Sequence, residues 1–242
     1  MIKKTLIATA LLASSSAAMA EISGNVTLAT DYAFRGVSQT DNQVAIQGGF
    51  DWAHESGFYT GTWASNIDSN FFSGTSTDPQ IEHDIYAGYA SEFANGIGYD
   101  VGFLYYSYPG YHDANTSEVY VKGSMDGFTV SLSYSDELSF IGSNQSAWYL
   151  AAGYDTTLPW YEIGFSAHVG YSFGDAYDVD APPPPSNDKG LPDTYTDWSI
   201  GLTKNVAGVD LGLTYVDSDG DDSDMFGDLA DSRVVFSISK SL

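Results

Sequence analysis

Cysteine is absent, basic residues are few, and no long apolar run follows residue 20. Without cysteine the chain has no disulfide framework, no thiolate nucleophile and no thiolate metal ligand. It carries 8 Lys and Arg against 32 Asp and Glu, a net charge of −24, which excludes nucleic acid as a partner. A helical membrane span needs roughly eighteen or more consecutive apolar residues, and no stretch of that length is present. His-Glu-x-x-His and phosphate-binding glycine loops are also missing, and no nucleophile elbow is expected, so an enzyme is not the expected reading. Intrinsic disorder is excluded by an aromatic content of 15 %, including 18 tyrosines.

What is present begins with an export leader. Lys3 and Lys4 form a positive start, residues 5–13 an apolar run, and Ala18-Met19-Ala20 a small-residue cleavage site. Cleavage after Ala20 is expected, leaving residues 21–242 as one domain. Loss of the two lysines takes the net charge from −24 to −26.

The mature chain alternates apolar and polar residues with a period of two. Twelve strands are predicted, over 22–34, 43–52, 58–67, 81–93, 99–107, 116–125, 128–136, 146–155, 161–173, 195–204, 207–216 and 231–242. The connectors between them alternate long and short. Long ones cover 35–42, 68–80, 108–115, 137–145, 174–194 and 217–230, whereas the short ones cover 53–57, 94–98, 126–127, 156–160 and 205–206. Long loops on one rim and tight turns on the other, with an even strand count, predict a closed antiparallel transmembrane β-barrel in a Gram-negative outer membrane.

Parity along each strand assigns the faces. Two aromatic girdles are expected on the apolar face: Phe34, Tyr134, Trp148, Tyr171, Trp198 and Tyr215 near the long loops, and Trp52, Tyr59, Phe93, Tyr99, Phe128, Tyr154 and Tyr161 near the short turns. The lumen receives Asp31, Asp51, Glu82, Asp84, Glu92, Asp100, Glu118, Asp155, Glu162, Asp197 and Asp210 against Arg35, Lys122 and Arg233, with Gln47 on the same face. Such an excess of carboxylates favours small cationic or zwitterionic solutes, if the lumen is open. Arg35 serves either as a partner for lumenal carboxylates that holds the first loop or as part of a constriction. If the barrel is instead filled, the same carboxylates are structural, and the chain is a non-conducting barrel that binds ions or a partner.

Residues 26–51, including Asp31-Tyr32-Ala33-Phe34-Arg35-Gly36, Ser38-Gln39 and Gln47-Gly48-Gly49-Phe50-Asp51, resemble the opening of the TorF family of porins. The resemblance is specific over 22–52 and looser beyond. It implies an outer-membrane barrel and names no solute.

Two loops are strongly acidic. Residues 217–231 hold seven Asp in fifteen, with Asp217, Asp219 and Asp221 at calcium-loop spacing and Asp228 at the twelfth position. Asp222 replaces the glycine of the sixth position, and Asp228 replaces the bidentate glutamate, so a weak gathering of divalent cations such as Ca2+ near lipopolysaccharide phosphates is expected rather than a dedicated site. Residues 174–194 place Asp175, Asp178, Asp180, Asp188 and Asp193 around a stiff run of four prolines, 182–185. That loop either covers the barrel mouth or stands away from it. No other cofactor is expected. Expected partners are outer-membrane lipid, lipopolysaccharide and small solutes. Of the four histidines, His54 falls in a short turn, His112 in a loop and His168 in the lumen, and His83 alone faces outward, between Ile81 and Ile85.

Overall fold

The computed structural model describes residues 21–68, 79–141, 143–159, 161–177, 194–220 and 226–242. The expected leader, the proline run and Asp221 lie outside these residues. The strands are β1 (Glu21–Ala29), β2 (Ala33–Phe34), β3 (Val37–Ser38), β4 (Ala45–Ala53), β5 (Phe58–Asn66), β6 (Ile81–Glu92) and β7 (Gly98–Ser107). They continue with β8 (Thr116–Met125), β9 (Phe128–Ser135), β10 (Ala147–Leu158), β11 (Ile163–Phe173), β12 (Thr194–Val206), β13 (Val209–Ser218) and β14 (Arg233–Ser241).

Twelve of these, β1 and β4 to β14, close into one antiparallel barrel. β1 is the seam, pairing Glu21 to Ala29 with Ala53 to Ala45 of β4 on one side and Asn25 to Ala29 with Ser241 to Ser237 of β14 on the other. Closure leaves no strand edge unpaired, which is what a sheet surrounded by hydrocarbon requires.

Period-two alternation appears directly in the exposure pattern. Outward residues such as Ile46, Phe50, Val119, Val130, Ile200, Val234 and Phe236 are 43–64 % exposed although apolar. Their neighbours one residue along point into the lumen. An apolar exterior around a polar interior is stable only in lipid, so the barrel spans a membrane. Among the described residues no helix is long and apolar enough to cross one.

Local chemistry explains the tight turns. Asp126-Gly127 and Ala207-Gly208 both place two successive residues at positive φ (51° and 88°, 52° and 85°), the backbone of a type I′ hairpin whose twist matches the strands. The second turn therefore falls two residues later than 205–206, because Asn205 and Val206 still pair with Asp210 and Val209.

Three further expectations are corrected. β1 ends at Ala29 rather than residue 34, because the chain then turns inward, and Phe34 packs inside against Tyr106 rather than in a girdle. Tyr59 is also lumenal, 5 % exposed, since β5 presents Phe58 outward. Glu162 does not line the lumen. Leu158 pairs with Ile163, so Tyr161 and Glu162 occupy the turn at positive φ, and Glu162 is exposed at the rim.

Candidate functional site

The first long loop crosses the lumen. After Ala29 the chain forms the β2–β3 ribbon, whose tip residues Arg35 and Gly36 adopt φ of 48° and 82°. Asp31 holds its base, accepting hydrogen bonds from Ser38 Oγ (2.6 Å) and Thr40 Oγ1 (2.7 Å) and an ion pair from Arg233 Nη1 of β14 (3.2 Å). Gly36 lies so close to the β12–β13 wall that a Cβ there would stand 2.7 Å from the Ser218 Cβ and 2.9 Å from the Asp197 Cβ.

Arg35 continues across the barrel. Its Nη2 meets Glu118 Oε2 of β8 at 2.5 Å, and its guanidinium lies 4.0 Å above the Tyr149 ring of β10. Both side chains of the ion pair are buried, at 8 % and 6 % exposure. β8 and β10 flank the wall opposite β1, so the ribbon bridges the lumen. On the near side Glu82 accepts from Tyr32 (2.7 Å) and Tyr108 (3.0 Å), and Asp84 is buried beside it with one carboxylate oxygen lacking a hydrogen-bond partner. Burial, and then the Glu82 charge, holds the Tyr32 and Tyr108 hydroxyls well above their ordinary pKa, so both remain donors.

An apolar cluster fills the space around this bridge. Ile67, Tyr106, Tyr108, Leu138, Tyr177 and Tyr195 are buried there, with Phe34 and Phe226 packed against them. Several long loops thus contribute to one plug in the outer half of the barrel.

Toward the short-turn rim the lumen changes character. Tyr59 donates to Asp100 (2.5 Å) and shares a 2.5 Å hydrogen bond with Tyr120, while Lys122 sits 3.9 Å from Asp100 and over the Tyr120 ring. Tyr86 donates to Asp51. These rings lie flat because glycines face them across the strands: Gly88 opposite Tyr59, Gly61 opposite Tyr86 and Gly102 opposite Tyr120. The rest of the wall carries small polar residues, including Thr129, Ser131, Ser166, Ser237 and Ser239, all partly water-accessible.

Of the sequence-predicted lumen set, Asp31, Arg35, Glu82, Asp84, Glu118 and Arg233 belong to the bridged outer half. Asp51 and Lys122 line the inner half, and Gln47 lies in register with Thr27 and Ser65. Parity did not distinguish the roles of Tyr59, Tyr86, Tyr120 and Tyr149, although lumenal tyrosines set against glycines on adjacent strands were a readable mark. Tyr149 also bonds His168 Nε2 (2.8 Å) and Asp197 (3.0 Å).

The loop carboxylates act locally. Asp217 accepts from the Tyr215 hydroxyl and Asp219 from the Thr196 amide, whereas Asp228 is exposed. Among the described residues no group of three acidic or histidine side chains is placed to hold a metal ion.

Two features bear on catalysis. Gly170-Tyr171-Ser172-Phe173-Gly174 has the letters of a nucleophile elbow, but it runs along β11 and buries Ser172 completely. His83 faces outward with Nε2 2.7 Å from Thr62 Oγ1, and that hydroxyl donates to the Asp84 carbonyl.

A family model described as a bacterial protein of unknown function, Gcw_chp, matches residues 13–242. The chain belongs to the Gcw_chp family. No curated protein matches it by sequence. Among solved structures, the family member is similar to the KdgM porin, with a TM-score of 0.54 and 10 % identity, covering 90 % of this chain and 97 % of that one. A NanC porin structure gives a TM-score of 0.54 and 10 % identity over 89 % and 97 % of the two chains. At such identities the likeness establishes the fold, which is that of outer-membrane porin barrels.

Proposed function

We propose that this chain is an outer-membrane, porin-like channel for small cationic or zwitterionic solutes, closed in its outer half by the first loop. The observation that carries this is the bridge itself, a loop held across the barrel by ion pairs and hydrogen bonds above an inner half whose wall carries partly water-accessible serine and threonine beside a tyrosine–carboxylate network. A barrel of twelve strands encloses more space than the filled eight-stranded type. Displacing the Arg35 ribbon would expose Glu82, Asp84 and Glu118 to the path, and such carboxylates concentrate cations. The resemblance of residues 22–52 to TorF porins supports the same reading, as do the porin folds of its structural neighbours. Leader cleavage after Ala20 and weak divalent-cation association of the 217–231 loop beside lipopolysaccharide phosphates belong to this proposal. An enzymatic role has less support, since the Thr62 hydroxyl already donates to a carbonyl and Ser172 is enclosed.

The test is conductance in planar bilayers. Replacement of residues 33–38 by a short Gly-Ser linker should raise K+ conductance well above that of the parent protein. K+ should pass in preference to Cl−, and the preference should weaken as the screening length falls from about 10 Å at 0.1 M salt to about 3 Å at 1 M. Anion preference in the opened barrel would defeat the acid-lined path. A folded, ribbon-deleted barrel without conductance would instead favour the second reading, a non-conducting structural or ion-binding barrel, which the apolar cluster around Tyr106, Leu138 and Tyr177 supports.

A further inference from the structure

The barrel exterior is apolar over most of its height, so the position of any cation on it is informative. Among the described residues, Arg35, Lys122 and Arg233 engage lumenal carboxylates, and Lys204 and Lys240 are the only lysine or arginine side chains on the outward face. Both lie near the short-turn rim, on β12 and β14, with β13 between them. Lys204 stands in register with Leu211, which faces Ile238, and Lys240 follows Ile238 by two residues on the same face. At a strand spacing of about 4.8 Å their strands are about 10 Å apart.

Neither ammonium group is left to wander. Lys204 Nζ donates to the Tyr161 carbonyl in the β10–β11 turn, and Lys240 Nζ donates to the Gly208 carbonyl in the β12–β13 turn at 2.6 Å. Each has further N–H donors, and each is pinned at the level where hydrocarbon meets headgroups. Beside Lys204, on the membrane side, is a recess of about 210 Å³ lined by Ile163, Leu202, Leu211, Leu213 and Phe236. An apolar recess with the Lys204 ammonium in its lining, and the Lys240 ammonium two strands away on the same face, matches one kind of molecule, an amphiphile with an anionic head. Elsewhere the protein repels anions, with a net charge of −24, so the two lysines define where such a head is tolerated.

We infer that Lys204 and Lys240 form the headgroup site, and the recess at Leu202, Leu211 and Phe236 the acyl-chain site, for an anionic phospholipid of the leaflet facing the short turns. The lipid phosphate takes the remaining N–H donors of Lys204, the Lys240 ammonium two strands away adds a second positive charge to the headgroup level, and one acyl chain lies in the recess. This rests on the membrane placement proposed above but not on conduction.

Native mass spectrometry of the folded protein, released from micelles containing equal amounts of phosphatidylglycerol and phosphatidylcholine with matched chains, tests it. The parent protein should retain phosphatidylglycerol several-fold over phosphatidylcholine. K204Q/K240Q should abolish that preference, K204R/K240R should keep it, and Leu211→Trp should lower retention of both lipids by filling the recess. Equal retention of the two lipids by the parent, or an unchanged preference in K204Q/K240Q, would overturn the site. A heat-dependent gel-mobility shift confirms that each variant is folded, and its absence in the parent would count against the barrel placement, not against this site alone.

Discussion

Serine behaves differently in the two halves of this lumen, even along a single strand. On β9, Ser133 and Ser135 of the outer half are 8 % and 2 % exposed, whereas Ser131, nearer the short turns, is partly water-accessible. On β11, Ser172 is 0 % exposed and Ser166 is partly accessible. The wall is the same sheet with the same alternation, so the wall does not cause the difference. The contents do. The outer half holds the first-loop ribbon and the aromatic plug, and the inner half holds water-accessible small polar groups and a tyrosine–carboxylate network. Inward direction in a barrel is therefore not equivalent to burial, and a carboxylate's environment depends on which loop reaches it.

The sharpest way to break this contrast is to remove one partner of a buried pair. Glu118→Ala should leave the Arg35 guanidinium enclosed and uncompensated, costing about 3–5 kcal/mol of barrel stability in urea-unfolding titrations. A loss under about 1 kcal/mol would show that the ribbon leaves the lumen readily. Next in size, Leu132→Lys or Ile200→Lys at mid-span on the outer face should cost about 2–4 kcal/mol, and the same change near a rim less. Equal tolerance at Ser131 or Gly212 would mean that the faces are inverted. Within the inner half, Gly102→Ala puts a Cβ 2.4 Å from the Tyr120 hydroxyl, so that ring must swing into the lumen. The expected cost is about 1–3 kcal/mol. NMR ring shifts at Tyr120 unchanged from the parent would contradict the flat packing. The smallest effect is expected for Lys122→Met, whose partner Asp100 is more accessible than Glu118 and also accepts from Tyr59; the loss should stay within about 1 kcal/mol. If Lys122→Met costs as much as Glu118→Ala, the two halves do not differ as described.

Much of the barrel was legible without coordinates. All twelve barrel strands fall within a few residues of the alternation, because each strand records its own two faces, and the Asp126-Gly127 turn follows from residues that tolerate positive φ. The errors share a cause. Alternation along the expected strands puts Phe34 and Tyr59 on the outer face, yet Tyr59 carries a hydroxyl that reaches Asp100, and Phe34 belongs to a loop that leaves the wall. Glu162 had lumenal parity, but its strand begins one residue later, at Ile163.

By itself the sequence determined the strand count, the sidedness of loops and turns, the apolar exterior and the acidic lumen, since each is written in residues two apart or in the lengths between them. Tertiary structure alone decided what the acids do. The Arg35–Glu118 contact joins residues 83 apart and the Asp31–Arg233 contact residues 202 apart. Neither has a local period to announce it. Whether the outer lumen is open or bridged depends on such long-range pairings, which form only once the barrel has brought opposite walls within reach of one loop.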